Sequence, residues 1–137
     1  MNDENGFRAL GREKCLALLA TASLGRVVYT DRALPAIQPV DFVLDEHGDV
    51  IIRAAPGSEL DDSLRGAIVA FETDDIDLAT ATGWSVTVVG RADHVAGGDL
   101  ERLPLGPWPS EPRGHFIRIA TRFITGRRLL APVHADA

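Results

Sequence analysis

Beyond residue 21 the apolar residues of this 137-residue chain come in short runs rich in valine and isoleucine, each closed by Gly, Pro or Asp. Runs of that length and punctuation are strands rather than buried helices. They fall at 26–30, 34–44, 50–54, 67–73, 84–95 and 115–119. Helical spacing is confined to 10–21, where Cys15, Leu18 and Leu19 share a face away from Arg12, Glu13 and Lys14, and to 58–65, with a brief further helix at 97–103. Six strands joined mostly by hairpins predict a mainly β domain with short helices, built as a small antiparallel barrel. The stretches 31–33 and 45–49 read as hairpin turns, with Gly48 able to take a positive φ. Pro35 and Pro39 cannot donate to a ladder and mark an edge, a bulge or an opened strand. Gly90 reads as a bulge, and Asp74, Asp75 and Asp77 as a solvated acidic loop without a calcium loop's ligand order.

Composition narrows the partners. The length suits one domain, 1–137, with a core at about 10–128 and flexible tails. A net charge of −6 argues against nucleic acid, which demands a strong basic patch. Arg122, Arg127 and Arg128 form the one basic cluster, enough for a single small anion. No apolar run approaches a membrane span and residues 1–5 lack the features of a signal peptide, so the expected setting is cytoplasmic with no membrane partner. One cysteine, Cys15, rules out an internal disulfide and reads as a small buried hydrophobe.

Chemistry concentrates where the strand 50–54 breaks at Pro56-Gly57 and turns into a helix at Ser58. Backbone N–H groups and the helix dipole converge there, which makes a seat for an anion such as a phosphate. Glu59, Asp61 and Asp62 crowd acid into the same turn. Ser58 with Asp61 also reads as a capping box, with the acids satisfying the dipole and no ligand needed. Likewise Arg53, at the strand end, reads as a surface ion-pair partner as readily as a phosphate ligand. His47, His94, His115 and His134 are scattered without metal-ligand spacing, so no metal is expected. Neither a nucleophile elbow, a Gly-rich phosphate loop nor a dinucleotide fingerprint is present, and no residue stands out as catalytic.

The segments Cys-Leu-x-Leu-Leu-Ala-Thr, Gly-Arg-Val, Pro-Val-Asp-Phe-Val-Leu-Asp, Ile-Arg-Ala-Ala-Pro-Gly-Ser, Gly-Trp-Ser-Val, Val-x-Gly-Arg-Ala and Ile-Thr-Gly-Arg occur in that order over about 10–128. Together they resemble the pyridoxamine 5'-phosphate oxidase-like family, in particular its small actinobacterial flavin-binding split-barrel members. The resemblance implies a six-stranded split β-barrel, a homodimer and FMN in two clefts at the interface, with a deazaflavin left open. It implies that the flavin ring lies along Gln38, Pro39, Val40 and Asp41. The phosphate would be held by Arg53, Ala54, Ser58 and Glu59, and the partner subunit would contribute Trp84 and Ser85. Trp108 would cover the cleft or pack. Asp41 would stand near the flavin edge, where relatives often carry Asn.

Two positions depart from what close members of that family commonly carry: Thr where this chain has Ala54, and Lys where it has Glu59. A carboxylate in place of a cation turns attraction for a phosphate into repulsion, which predicts weakened FMN binding. The resemblance thus implies an FMN-dependent oxidoreductase acting on a small molecule. The departures favour two alternatives: a ligand-binding protein without turnover, or a flavin-free dimeric interaction module.

Overall fold

The computed structural model describes residues 6–96, 105 and 114–130. In chain order the elements are β1 (Phe7–Leu10), α1 (Arg12–Leu19), β2 (Leu24–Asp31), β3 (Leu34–Leu44), β4 (Val50–Ala54), α2 (Glu59–Ser63), β5 (Ile68–Asp77), β6 (Thr82–Val95), β7 (His115–Ile119) and β8 (Phe123–Leu129). Among these residues no helix is long and apolar enough to cross a membrane.

All pairings are antiparallel, in the order β1-β8-β6-β5-β2-β3-β4-β7, and β7 also pairs with β6. That last pairing closes six strands, β6-β5-β2-β3-β4-β7, into a barrel. Strand β6 serves two partners on one edge: Gly83 to Val89 pair with β8, and Ala92 to Val95 pair with β7. Between them the Ala120 N–H donates to the Arg91 carbonyl at 3.0 Å. The Ala120 carbonyl crosses so close over Gly90 that any side chain there would collide with it.

Alternation sends one face of each strand inward. Val27 and Tyr29 of β2, Val69 and Phe71 of β5, and Trp84, Val86 and Val88 of β6 are all buried. The Phe42 and Phe71 rings meet edge-on at 4.6 Å between centroids. Helix α1 buries Cys15 and Leu19, and the Cys15 sulfur lies where Gly126 leaves room for it. Helix α2 covers one barrel end with Leu60 and Leu64, each burial contributing roughly 1.5–3 kcal/mol.

The expected six-strand barrel is present, and several local readings change. Two further strands, β1 and β8, extend the sheet from β6. Asp74, Asp75 and Asp77 are not in a loop: β5 continues through them, paired with Ser85, Trp84 and Thr82. Gly90 is no bulge, since the β5–β6 register runs through Val69↔Gly90 unbroken. Of the readings offered for Pro35 and Pro39 the edge holds: they pair with Thr30 and Arg26 in a continuous ladder, on a stretch of β3 whose other side β4 does not pair. A proline can occupy such a ladder only where its missing N–H slot points away from the partner, here away from β2. The helices are also shorter than the sequence suggests, ending at Leu19 and Ser63. The helix expected at 97–103, Trp108 and His134 lie outside the described residues.

Candidate functional site

The β3–β4 ladder runs Leu44↔Val50, Val43↔Ile51, Phe42↔Ile52 and stops. Beyond it β3 continues along β2 as Asp41, Val40, Pro39 and Gln38, while β4 continues along β7 as Arg53 and Ala54. The barrel wall therefore forks, and the fork is where six of the expected site residues lie. Val40 and Ala54 are fully buried, and Gln38, Asp41 and Arg53 are half-buried. The stem of Arg53 rests on Gly114, where even a methyl group would strike it.

Past Ala54 the chain turns through Pro56 and Gly57, the latter at φ 74°, into α2. Ser58 is the N-cap, and its Oγ accepts the Asp61 N–H at 3.1 Å. The Ser58 N–H donates to the Ala55 carbonyl, and the Gly57 N–H donates to Asp61 Oδ2 at 2.9 Å. An anion thus already sits at this turn, and it is the protein's own Asp61 carboxylate. Glu59 points elsewhere: its Oε1 accepts the Tyr29 hydroxyl at 2.9 Å. Burial first, then the hydrogen bond to Glu59 and the charges of Glu59 and Asp31, push the Tyr29 phenol up to about 12. Asp31, Arg32, Glu59, Asp62 and Ser63 line a cavity of about 400 Å³ beside it, predominantly acidic.

Asp61 itself is the residue the sequence least foretold. It is fully buried, and two histidines converge on it. His115 Nδ1 lies 3.0 Å from both carboxylate oxygens, and His94 Nε2 lies 3.1 Å from Oδ1. The two rings are 5.3 Å apart between centroids, tilted by 56°. Burial alone would raise the Asp61 carboxyl, but the Gly57 N–H and the two imidazoles outweigh it and hold it below the usual carboxylate range. These three residues are 21 to 54 positions apart in sequence. Only the pairing of β6 with β7, and of Ala54 with His115, gathers them.

Trp84 and Ser85 lie elsewhere in the chain, with β5 and β2 between their strand and β3. Trp84 faces the barrel interior, 8% exposed, and Ser85 faces outward. The outer face near Ser85 carries an apolar row across five strands, Ile37–Val28–Ala70–Val89–Phe123, set by consecutive registers. Its ends stand open, Ile37 at 66% and Phe123 at 63% exposed. An adjoining row holds Arg26 against Glu72 at 3.3 Å.

Comparison with known proteins gives a consistent match. The family described as Pyridoxamine 5'-phosphate oxidase matches residues 11–128. Protein Rv0080 of Mycobacterium tuberculosis, itself uncharacterized, is 37% identical over 131 residues, which span 89% of this chain and 85% of that protein. The FAD binding protein from Mycobacterium smegmatis is similar in structure, with a TM-score of 0.71 at 32% identity over 89% of this chain and 97% of its own. A conserved protein of unknown function from Corynebacterium diphtheriae, DIP1874, gives 0.73 at 31% identity over 91% and 99%.

Proposed function

The chain belongs to the pyridoxamine 5'-phosphate oxidase family, and we propose that it is a flavin-binding oxidoreductase acting on a small molecule. The observation that carries this reading is the fork, where the β3–β4 ladder ends at Phe42↔Ile52 and Gln38–Asp41 run on beside Arg53 and Ala54. A planar ring with hydrogen-bonding edges fits along such a strand edge, much as a peptide strand does in β-augmentation. The FAD-binding relative at 32% identity supports a flavin as that ring. Gln38, Pro39, Val40 and Asp41 would hold it, and Arg53 and Ser58 would face its phosphate. A bound flavin would supply the hydride or electron step, so the chain need contribute position and electrostatics rather than an acid–base pair.

The phosphate half of the site is the demanding part. Ser58 and Arg53 fit a phosphate, whereas Glu59 and Asp62 oppose one. Glu59 is solvent-exposed and clasped to Tyr29, so its repulsion is screened rather than buried. Reversing an exposed, solvent-screened charge is worth on the order of 1–2 kcal/mol toward a dianionic phosphate, or roughly tenfold in affinity. The ring contacts therefore carry the binding and the phosphate tunes it. The reading also includes a homodimer. The exposed row from Ile37 to Phe123 gives it an apolar face to bury, and a partner would bring its Ser85 side to the cleft.

Flavin fluorescence titrations of the purified protein with riboflavin, FMN and FAD test the reading. Saturable quenching by at least one flavin at micromolar concentration is expected. Glu59→Lys should tighten FMN about tenfold while leaving riboflavin unchanged. Failure of all three flavins to bind either protein would overturn the assignment.

A further inference from the structure

We propose that Asp61, His94 and His115 form a binding site for one divalent transition-metal ion of the zinc class. The ligand atoms come from three elements, α2, β6 and β7, and all lie within 4.8 Å of one another. Two imidazole nitrogens and one carboxylate are a recurrent zinc set, and three protein ligands leave a fourth position for water or a small ligand. Nitrogen donors argue against magnesium and calcium, which prefer all-oxygen shells.

The geometry is close to what a metal needs. Tetrahedral zinc with bonds of about 2.0–2.1 Å places its ligand atoms roughly 3.3 Å apart. Here the two nitrogen-to-oxygen edges are 3.0 Å and 3.1 Å and the two nitrogens lie within 4.8 Å of each other, so the three atoms bracket a position onto which small rotations of the two rings would close. Without metal each imidazole satisfies the carboxylate by pointing an N–H at it. With metal each would carry that proton on its other ring nitrogen, at no net charge cost to the rings.

The surroundings hold the carboxylate in place. Gly57 N–H donates to Asp61 Oδ2, and Ser58 Oγ accepts the Asp61 N–H, so the ligand's backbone and side chain are both fixed by neighbours. Such outer contacts orient metal ligands. Burial is graded from one side to the other: the side chains of Asp61, His94 and His115 are 1%, 25% and 45% exposed. The ion would therefore sit on a buried anion with its open position toward solvent on the His115 side. It would also place positive charge beside an otherwise acidic turn. The inference requires no flavin, and its test is read without one.

The test uses the full chain, stripped with a chelator and titrated with cobalt(II) chloride, then with zinc chloride in competition. One cobalt per chain is expected, with the visible absorption of a four- or five-coordinate ion that zinc abolishes. His94→Gln and His115→Gln, both at partly exposed positions, should keep the wild-type circular dichroism and each weaken binding about 100-fold. Zinc should raise the melting temperature of wild type and not of these variants. Asp61→Asn should behave alike where it folds, and the histidine variants decide the matter where it does not. Absence of stoichiometric binding by wild type overturns the proposal. So does binding retained within a few-fold by both histidine variants.

Discussion

Tyr29 is the chain's one tyrosine, which makes its ionisation directly visible in the near-ultraviolet absorbance of the protein. Its hydroxyl is 2.9 Å from Glu59 and the residue is 5% exposed. Burial, reinforced by that hydrogen bond and by the nearby carboxylates, lifts the phenol from about 10 to about 12. Two pH units correspond to about 2.7 kcal/mol of preference for the protonated form in the folded chain. The direction of the stability change follows from which state loses its proton first. The unfolded chain ionises near pH 10 and the folded one near 12, so stability falls by about 1.4 kcal/mol per pH unit across that window and levels off above it. A spectrophotometric titration should therefore show a midpoint near 12, and denaturant melts should weaken from pH 10 upward. Glu59→Gln should lower the midpoint yet leave it above 10, because burial is the larger cause. A wild-type midpoint near 10 would refute the Tyr29–Glu59 clasp, and with it the account of where the Glu59 carboxylate points.

At the acid end, Asp45 plays the opposite part. Burial would raise its carboxyl, but the Asp49 and His47 N–H groups and the Arg118 guanidinium at 3.1 Å hold it low. Its stabilisation is present above the ordinary carboxylate range and is lost as pH falls through the depressed value. Asp45→Asn should therefore destabilise at neutral pH and flatten the acid limb of a melting-temperature profile. Gly90→Ala forces a methyl group against the Ala120 carbonyl and should cost roughly 1–3 kcal/mol or more, read from urea unfolding. Phe123→Glu and Ile37→Glu place charge on the exposed apolar row. The proposed homodimer should then fall to a monomer in light scattering while circular dichroism stays unchanged.

Much of the barrel could be read from sequence because strands β2 to β7 carry alternating or continuous apolar runs bounded by turn residues. What escaped depends on pairing. Phe7–Leu10 is too short to announce itself, and it is a strand because β8 lies beside it. Asp74 to Asp77 have poor strand propensity, and the long β6 hairpin overrides it through ten consecutive pairs. The β2–β3 turn was legible at 31–33, but its positive φ at Arg32 and Ala33, 52° and 66°, has neither Gly nor Asn to signal it. At the site, the strand–turn–helix junction at Ser58 was evident from its residues, cap included. Its occupant was not. Asp61 read as one of three acids at a helix start, and its burial and convergence with His94 and His115 follow from barrel closure alone.

The most direct test of the flavin reading is where a flavin lands. Amide hydrogen exchange should be compared for the protein alone and with saturating FMN or FAD. The account predicts added protection concentrated on 38–41 and 53–58, the two arms of the fork. Added protection at 84–85 would fit the partner's share of the cleft; protection that spares both arms, or none at saturating flavin, would contradict it.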